Sequence, residues 1–416
     1  MHIVFCIGPF NGHVNTSLAV VSELARRGHR VSYATTADYS GPAREAGARA
    51  VVYASTMETR SGRSAWQDPA GSAAGQDFAR GQDGQLRELK AVLPVLMAAF
   101  ADDAPDVVVC DPMCWAGRAL AARYRVPAIN NVTIMISKTH WSLGPVGASF
   151  NPADPRLPQL FAATSAVLDH YGTGLTADQL LGTGGVIPTI VYLPRAFQAQ
   201  GELFGPDVHF IGPCLSPRRV RPRSGPGSRR DWRPPGDSPV VLVSLGTVFN
   251  RDPAIFRRCL DALAGLDCHV VAALGGLAAA DLGPLPANAE AHGYLQLTEV
   301  LPYTDVLVGH AGMGSTMEAL SFGVPIAAVP QIPEQRVNAD RLAELGLGLC
   351  LAPGRQTQEE VRRAVVTLLQ DASIRPRLDW MRAEIGRAPG APAAADVIEN
   401  ALPPAGPLAR PARLAG

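Results

Sequence analysis

The sequence predicts an α/β protein with two doubly wound parallel sheets. Short apolar runs alternate with helical patterns through both halves of the chain, as they do in βαβ units. The 416 residues are enough for two or three domains, each with its own core. An Arg-, Pro- and Gly-rich stretch at residues 214–239 separates the two series of strands, and we interpret it as a solvated interdomain linker.

Composition argues against several classes of protein. The formal net charge is zero, so no basic excess favours nucleic acid or a membrane surface as a partner. The seven cysteines are scattered and lack a second pair at ligand spacing, which argues against zinc and fits buried thiols in a reducing cytoplasm. The chain opens on an apolar strand without a signal-peptide pattern, and no apolar run reaches transmembrane length. We therefore expect a cytoplasmic protein.

Residues 1–213 are predicted to form the first domain. Its first helix is expected from residue 14 to about 27, after a loop at 8–13. Residues 57–84 show no pattern and are expected to be a loop, with a helix following at about 85–101. Residues 134–185 are expected to combine loops with one or two helices. Strands are predicted at residues 2–7, 31–35, 50–53, 107–110, 128–132, 191–193 and 209–211.

Residues 240–385 are predicted to form a second domain of the same kind. Two helices are expected near its end, at about 358–369 and 374–385. The Ala- and Pro-rich segment after 390 has room for one more helix, and the residues after 403 are expected to be disordered. Strands are predicted at residues 240–244, 269–273, 289–292, 306–308, 326–329 and around 349.

A Gly-rich turn follows the apolar run at 306–308. Ser315 and Thr316 then open a short helix, which Gly323 closes. Unpaired backbone N–H groups and the positive end of a helix favour phosphate at such a turn. The dinucleotide fingerprint is not met, because its third Gly is missing. For Gly312 and Gly314 alone, a turn that binds no ligand remains an alternative.

His13 and Asp111 are predicted to lie at the same edge of the first sheet. Each follows the carboxyl end of a predicted strand, where open α/β sheets bind ligands. A His with a carboxylate partner is a common general base, since the carboxylate stabilises the imidazolium that forms. The alternative is that each residue only caps the helix that follows it.

The second half places further polar residues at strand ends. Gly246 and Thr247 end its first strand and either form an ordinary tight turn or offer donors to phosphate. Tyr294 either stacks on a nucleobase or belongs to the core. Glu318 lies one turn into the short helix, and Glu334 is followed by Gln335 in a loop after Pro330.

The pattern His310-x-Gly312-x-x-Ser315-x-x-Glu318, followed by Glu334-Gln335, resembles the nucleotide-sugar signature of the family 1 glycosyltransferases, in particular the bacterial macrolide and natural-product branch. Ser244-x-Gly246-Thr247 is similar to the family turn that contacts the donor diphosphate. The segment Asn11-Gly12-His13 is similar to the loop that carries the family's catalytic base, and Asp111 matches its partner. The resemblance covers nearly the whole chain.

This resemblance implies the GT-B fold, with two facing Rossmann-like domains. Residues 1–213 would bind the acceptor and residues 240–385 the nucleotide sugar, while residues 386–416 would hold a C-terminal helix that returns to the first domain, plus a disordered tail. The implied site comprises the catalytic residues His13 and Asp111; the diphosphate-binding residues Gly246, Thr247, His310, Gly312, Gly314, Ser315 and Thr316; Tyr294 and Glu318 for the base and ribose; and Glu334 and Gln335 for the sugar.

Two positions depart from the family pattern. Leu297 stands where the family commonly has Gln near the nucleobase, so UDP and dTDP donors both remain open. Glu334 stands where Asp is frequent, a difference of one methylene that bears on the choice of sugar.

The implied activity is inverting, metal-independent transfer of a sugar from a UDP- or dTDP-sugar to a hydroxyl of a small macrolide, polyketide or phenolic acceptor. No cofactor is expected beyond the nucleotide-sugar co-substrate. Two alternatives are a nucleotide-sugar epimerase of similar architecture and a non-catalytic glycosyltransferase helper protein, although the intact donor pattern argues against a helper. The sequence leaves open the acceptor, the sugar, a biosynthetic or self-resistance role, and the oligomeric state.

Overall fold

The computed structural model describes residues 1–57, 78–137, 153–180, 187–215, 232–246, 252–352 and 354–401. The strands in this part of the chain form two separate sheets, one in each half, and every neighbouring pair of strands is parallel. Helices lie between successive strands. The predicted pair of Rossmann-like domains is therefore confirmed.

The first sheet contains seven strands among the described residues. They are β1 (His2–Cys6), β2 (Arg30–Thr35), β3 (Arg49–Val52), β4 (Val107–Cys110), β5 (Ala128–Val132), β6 (Thr189–Val191) and β7 (Val208–Phe210). Their order in the sheet is β3-β2-β1-β4-β5-β6-β7. The direction of progression reverses between β1 and β4, where Phe5 pairs with Val109. Both central strands are fully buried, as their nearly continuous apolar sequences require.

The helices of the first half lie over this sheet. α1 directs Val14, Val21 and Leu24 into the core, with the spacing of an amphipathic helix. The helices are α1 (Asn11–Arg26), α2 (Ala37–Glu45), α3 (Phe78–Ala99), α4 (Trp115–Tyr124), α5 (Leu157–His170) and α6 (Ala177–Leu180).

The second sheet contains six strands among the described residues. They are β8 (Val240–Ser244), β9 (His269–Ala273), β10 (Ala289–His292), β11 (Val306–Gly309), β12 (Ile326–Ala328) and β13 (Gly348–Cys350). Their order is β10-β9-β8-β11-β12-β13, so the progression reverses between β8 and β11. The helices of this half are α7 (Pro253–Leu263), α8 (Leu297–Val300), α9 (Met313–Ser321), α10 (Pro333–Glu344), α11 (Gln358–Gln370), α12 (Arg375–Arg387) and α13 (Gly390–Asn400).

Two helices begin earlier than the sequence predicts. α1 starts at Asn11, because the carbonyl of Phe10 accepts hydrogen bonds from the N–H groups of His13 and Val14. No side chain caps this helix, so the usual sequence signal for its start is missing. α3 starts at Phe78 and includes Gly81, which is buried. Packing against α4 overrides the low helix propensity of glycine in this segment.

The end of the predicted linker is packed into the second domain. Trp232 is fully buried, and its Nε1 donates a hydrogen bond to Glu290 over 2.5 Å. Its ring lies near His269 and Tyr303. This part of the segment is therefore core and not solvated chain, because a large apolar ring gains free energy by burial. Residues 216–231 of the predicted linker, most of the loop predicted at 57–84 and the tail from 402 lie outside the described residues.

The last helix packs on the first domain. Ala394, Ala395 and Ile398 of α13 are fully buried in the same apolar cluster as residues of α1. Arg27, directly after α1, donates to the carboxylates of Asp396 and Glu399. The second half of the chain is thereby anchored on the domain formed by the first half.

Two segments that run between the domains touch one another. The N–H of Gly390 donates to the carbonyl of Ile211 over 2.9 Å. Gly212 has a positive φ of 81°, and a Cβ placed there would lie 2.3 Å from the Cβ of Ala388. Only glycine allows both the backbone conformation and the close approach.

Among the described residues, no helix is long and apolar enough to cross a membrane.

We expect Gly212→Ala to lower the free energy of unfolding by about 2–4 kcal/mol, because the new methyl both strains a positive φ and collides with Ala388. Gly28→Ala is the matched control, since Gly28 has φ 83° but no atom within 4 Å of an added Cβ. The control should cost about 1 kcal/mol, from the backbone term alone. Urea unfolding followed by circular dichroism measures both. Equal losses would contradict the role of the close approach to Ala388.

Candidate active site

His13 and Asp111 meet where the first sheet reverses direction. His13 lies in the first turn of α1, directly after β1, and Asp111 follows β4. Because β1 and β4 are neighbours, the two side chains come together, with Nδ1 of His13 2.5 Å from Oδ2 of Asp111. Open α/β sheets bind ligands at such reversal points.

Asp111 is held firmly in this pair. Its side chain is buried, and Oδ1 accepts a hydrogen bond from the N–H of Met113 over 2.8 Å. The backbone N–H of Asp111 donates to the carbonyl of Cys6. The side chain of His13 is 21% exposed, so solvent or a substrate reaches its ring.

The pKa of His13 is raised above its ordinary value. Burial alone lowers it, but the charge of Asp111 and the hydrogen bond to Asp111 raise it, and the charge of Glu334 adds to the increase. With Asp111 ionised, Nδ1 carries the proton that it shares with the carboxylate, which leaves Nε2 as a basic nitrogen. This arrangement suits a general base that must hold a proton after accepting it.

Apolar and amide groups lie beside this pair. The ring of Phe10 is 5.4 Å from the ring of His13, measured between centroids. Gln85 of α3 contacts the sulfur of Met113 through its amide nitrogen, over 3.5 Å. The amide oxygens of Gln85 and Gln82 are buried, and neither has a hydrogen-bond partner among the described residues. Buried polar atoms of this kind favour a ligand that supplies a donor.

The second site lies where the second sheet reverses direction. Gly246 follows β8, and His310 follows the neighbouring strand β11. The imidazole of His310 packs between two glycines. A Cβ at Gly312 would lie 2.2 Å from Nε2 of His310, and a Cβ at Gly246 would lie 2.7 Å from Cε1. Both glycines are therefore required by the close approach of this ring, and Gly246 also has a positive φ of 78°.

His310 is neutral at physiological pH, because burial lowers its pKa to about 4. A backbone hydrogen bond with Ser244, on the neighbouring strand β8, acts in the opposite direction. A neutral imidazole offers one N–H donor and one acceptor, so His310 is suited to donate a hydrogen bond and not to supply a positive charge.

α9 begins beside His310, with Gly312 as its capping residue and no side-chain cap. Gly314 lies in the first turn, and a Cβ there would meet no atom within 4 Å. The hydroxyl of Ser315 donates to the carbonyl of Gly312, whereas the hydroxyl of Thr316 is buried and has no partner within the described residues. The N–H groups at this helix start face the reversal point of the sheet, which is a suitable place for an anion.

Two residues predicted to contact the nucleoside occupy different environments. Tyr294 is half-buried and follows β10 at the carboxyl edge of the second sheet. Glu318 is fully buried in α9. Their roles in binding base and ribose remain predictions.

Glu334 and Gln335 lie in the first turn of α10. The sequence predicts a loop at these positions, but Pro333 begins the helix, as proline often does. Gln335 is buried and accepts a hydrogen bond from the N–H of Gln331 over 2.8 Å. Burial raises the pKa of Glu334, although a hydrogen bond from Asn338 and the charge of His13 act in the opposite direction.

The electrostatic coupling of Glu334 with His13 places the two sites across one cleft. Glu334 belongs to the second domain, and His13 belongs to the first. The structure thus brings His13 together with Asp111, and His310 together with Gly246 and Gly312, whereas Thr247 lies outside the described residues. Phe10, Gln85 and Asn338 were not predicted from the sequence. Their signals were weak, because an isolated aromatic or amide has no spacing pattern.

Among the described residues, no group of three or more His, Cys, Asp or Glu side chains is placed to hold a metal ion.

Comparison with known proteins identifies the class. The profile described as "Erythromycin biosynthesis protein CIII-like, C-terminal domain" matches residues 257–401. Demethyllactenocin mycarosyltransferase of Streptomyces fradiae is 42% identical over 412 residues, which cover 97% of this chain and 87% of the relative. Oleandomycin glycosyltransferase of Streptomyces antibioticus is 33% identical over 413 residues, covering 97% of this chain and 91% of the relative.

Comparison with solved structures points to the same class of enzyme as the sequence relatives. The crystal structure of CalG4, the calicheamicin glycosyltransferase, superposes with a TM-score of 0.79 at 36% identity, and the match covers 96% of this chain and 98% of that one. The chain therefore belongs to the family 1 natural-product glycosyltransferases of the GT-B fold. These similarities support the glycosyltransferase hypothesis and not the epimerase or helper-protein alternatives.

Gly312→Ala should displace His310, because the new methyl would lie 2.2 Å from Nε2. The expected loss in the free energy of unfolding is about 2–4 kcal/mol, typical of overpacking in a buried site. Gly314→Ala, two residues further on, should be neutral or slightly stabilising, since alanine favours the helix and no atom lies within 4 Å. Thermal unfolding of both variants makes the comparison. Equal destabilisation would contradict the sandwich of His310 between glycines.

Asp111→Asn should lower the pKa of His13, because it removes the charge that raises this pKa and leaves burial, which lowers it. Asn preserves the size of the side chain, so the shift reports charge and not packing. Titration of the His13 ring by NMR measures the change. A His13 pKa that stays raised in Asp111→Asn would show that Asp111 is not its cause.

Proposed function

We propose that this enzyme transfers a sugar, with inversion at the anomeric carbon, from a UDP- or dTDP-sugar to a hydroxyl of a small natural-product acceptor such as a macrolide, polyketide or phenol. The observation that carries the proposal is the cleft itself. A His–Asp pair lies at the edge of one sheet, a glycine-rich helix start lies at the edge of the other, and the charge of Glu334, from the second domain, acts on His13.

His13 is proposed to be the base. Its Nε2 takes the proton of the acceptor hydroxyl while Nδ1 donates to Asp111, and the carboxylate stabilises the imidazolium. The acceptor oxygen forms a bond to the anomeric carbon as the bond to the diphosphate oxygen breaks on the opposite face. The nucleoside diphosphate leaves with the electron pair, and His13 returns the proton to solvent.

The diphosphate is proposed to bind at the start of α9. Backbone N–H groups near Gly312 and Gly314, the hydroxyls of Ser315 and Thr316, and an N–H of His310 would donate to its oxygens. The helix dipole and these donors stabilise the negative charge that develops as the diphosphate departs. The transfer would then need no metal ion. The unpartnered hydroxyl of Thr316 among the described residues supports this assignment, since a phosphate oxygen would accept its hydrogen bond.

The rest of the donor is proposed to follow the same edge of the second sheet. The nucleobase would stack on Tyr294, Glu318 would accept from the ribose hydroxyls, and Glu334 and Gln335 would contact the sugar. Gly246 and Thr247 would complete the diphosphate site. The nucleotide sugar is consumed as a co-substrate, and the proposal includes no other cofactor.

The acceptor is proposed to lie against Phe10, Met113 and Gln85, in the first domain. Phe10 lies beside His13, and the contacting side chains of Gln85 and Met113 lie next to Asp111, so the pair has apolar surface and one amide nearby, which suits a largely apolar molecule with a few polar substituents. Relatives named for demethyllactenocin and oleandomycin support a macrolide or similar polyketide.

The proposal predicts that UDP-glucose or a dTDP-sugar yields a glycosylated product with a macrolide or phenolic acceptor, and that His13→Ala lowers kcat by about 100-fold to 10,000-fold, as loss of a general base does. The rate should rise with pH through the raised pKa of His13, because only the neutral imidazole accepts the proton. Mass spectrometry identifies the product and the donor.

His170→Ala is the matched control, because His170 is an exposed residue at the end of α5, away from the sheet edge. It should retain the wild-type rate. Full activity in His13→Ala would overturn the assignment of the base. No product with any donor and acceptor pair, together with no calorimetric binding of UDP or dTDP, would overturn the proposed function.

A further inference from the structure

Asn338 lies at the centre of the donor side of the cleft, although no motif in the sequence singled it out. It is fully buried in α10, one helical turn after Glu334. Its Nδ2 donates to Oε1 of Glu334 over 2.6 Å and to the backbone carbonyl of Ala311 over 2.9 Å. One amide group thus connects α10 to the loop before α9.

The orientation of this amide follows from its partners. A carbonyl oxygen accepts only, and so does an ionised carboxylate, so the NH₂ group must face both. The opposite orientation would place the amide oxygen against two acceptors. The Oδ1 of Asn338 is buried and makes no hydrogen bond with the described residues. An apolar or acidic side chain of similar size cannot replace these two donations.

The loop that Asn338 holds is strained. Ala311 has a φ of 59°, which side chains other than glycine rarely adopt. It separates His310, which packs between glycines, from Gly312, which caps α9. Such a conformation persists only where its surroundings hold it. The hydrogen bond from Asn338 to the carbonyl of Ala311 is one such restraint.

The second hydrogen bond of Asn338 goes to the carboxylate of Glu334, at a position where the family often has Asp. In a helix, residues four apart lie on the same face, so the side chain of Glu334, which is one methylene longer than that of Asp, reaches Asn338 one turn further on. The bond fixes one carboxylate oxygen and leaves the other for a ligand. The carboxylate remains close enough to His13 for their charges to interact.

We infer that Asn338 is a positioning residue that couples the sugar-binding carboxylate of Glu334 to the diphosphate-binding loop at Ala311. The inference rests on the proposed function, since it takes Glu334 as the contact to the donor sugar. Asn338 does not touch the reacting atoms. It holds the carboxylate of Glu334, on α10, and the backbone of Ala311, before α9, at a fixed distance from each other. This distance is inferred to match the sugar and the diphosphate of one donor molecule.

Steady-state kinetics and calorimetry test this with three variants. Asn338→Leu and Asn338→Asp should each raise the donor KM and lower kcat/KM by about tenfold to a hundredfold, as expected when a buried hydrogen bond to a charged group is lost. Binding of dTDP and UDP, which carry no sugar, should weaken in Asn338→Leu because the Ala311 loop loses its restraint. In Glu334→Gln, binding of the same nucleotides should stay within about twofold of wild type, because only the sugar contact is changed.

The double variant distinguishes positioning through Glu334 from general damage. If Asn338 acts on the sugar through Glu334, then, once the loss in dTDP and UDP affinity is divided out, Asn338→Leu adds little to the donor-KM effect already produced by Glu334→Gln. Independent effects would multiply. Asn288→Asp is the matched fold control, because Nδ2 of Asn288 also donates to backbone carbonyls but lies at the opposite edge of the second sheet. It should lower thermal stability and leave the donor KM unchanged.

The outcomes separate this inference from the proposed function. If the wild type neither transfers sugar nor binds nucleoside diphosphate, the proposed function fails. If the wild type is active but Asn338→Leu leaves the donor KM and the nucleotide affinity unchanged, the positioning role fails alone. Multiplicative effects on the donor KM in the double variant, beyond the loss in nucleotide affinity, would also overturn the coupling to Glu334.

Discussion

Parallel pairing between strands that are not consecutive in the chain determines where the chemistry of this protein lies. β1 pairs with β4 in the first sheet, and β8 pairs with β11 in the second. At each of these pairs the helices that follow the two strands lie on opposite faces, which leaves a crevice at the carboxyl edge. His13 and Asp111 occupy one crevice, and the glycine-rich loop at His310 occupies the other. The rest of each domain supports these two edges.

The two histidines of the cleft are tuned in opposite directions by their surroundings. The pKa of His13 is raised, because a buried carboxylate outweighs the effect of burial. The pKa of His310 falls to about 4, because its ring is buried between glycines. One side of the cleft can therefore accept a proton, while the other donates hydrogen bonds without carrying a charge. This division matches a reaction in which a proton is removed at the acceptor and negative charge develops at the leaving group.

α10 links the two domains as well as the two parts of the donor site. Its first turn carries Glu334, and one turn later Asn338 reaches the loop before α9. Arg341, further along, donates to the carbonyls of Ala196 and Phe197 in the first domain. A movement of one domain against the other would therefore act directly on the helix that carries Glu334. The geometry of the proposed donor site is thus connected to the relative placement of the two domains.

Sequence patterns predicted the fold class and the approximate position of each strand, because buried parallel strands are short apolar runs, although the observed bounds differ at several ends, as in Thr189–Val191 against the predicted 191–193. They also indicated most candidate site residues, since residues at the carboxyl ends of strands share an edge. Which of these residues meet depends on the packing of the folded chain. The contact of His13 with Asp111, the neutral state of His310 and the two bonds of Asn338 depend on strand order and on packing between elements distant in sequence. The early start of α3 and the burial of Trp232 were missed because packing against other elements outweighed local propensity, and the early start of α1 was missed because no side chain caps that helix.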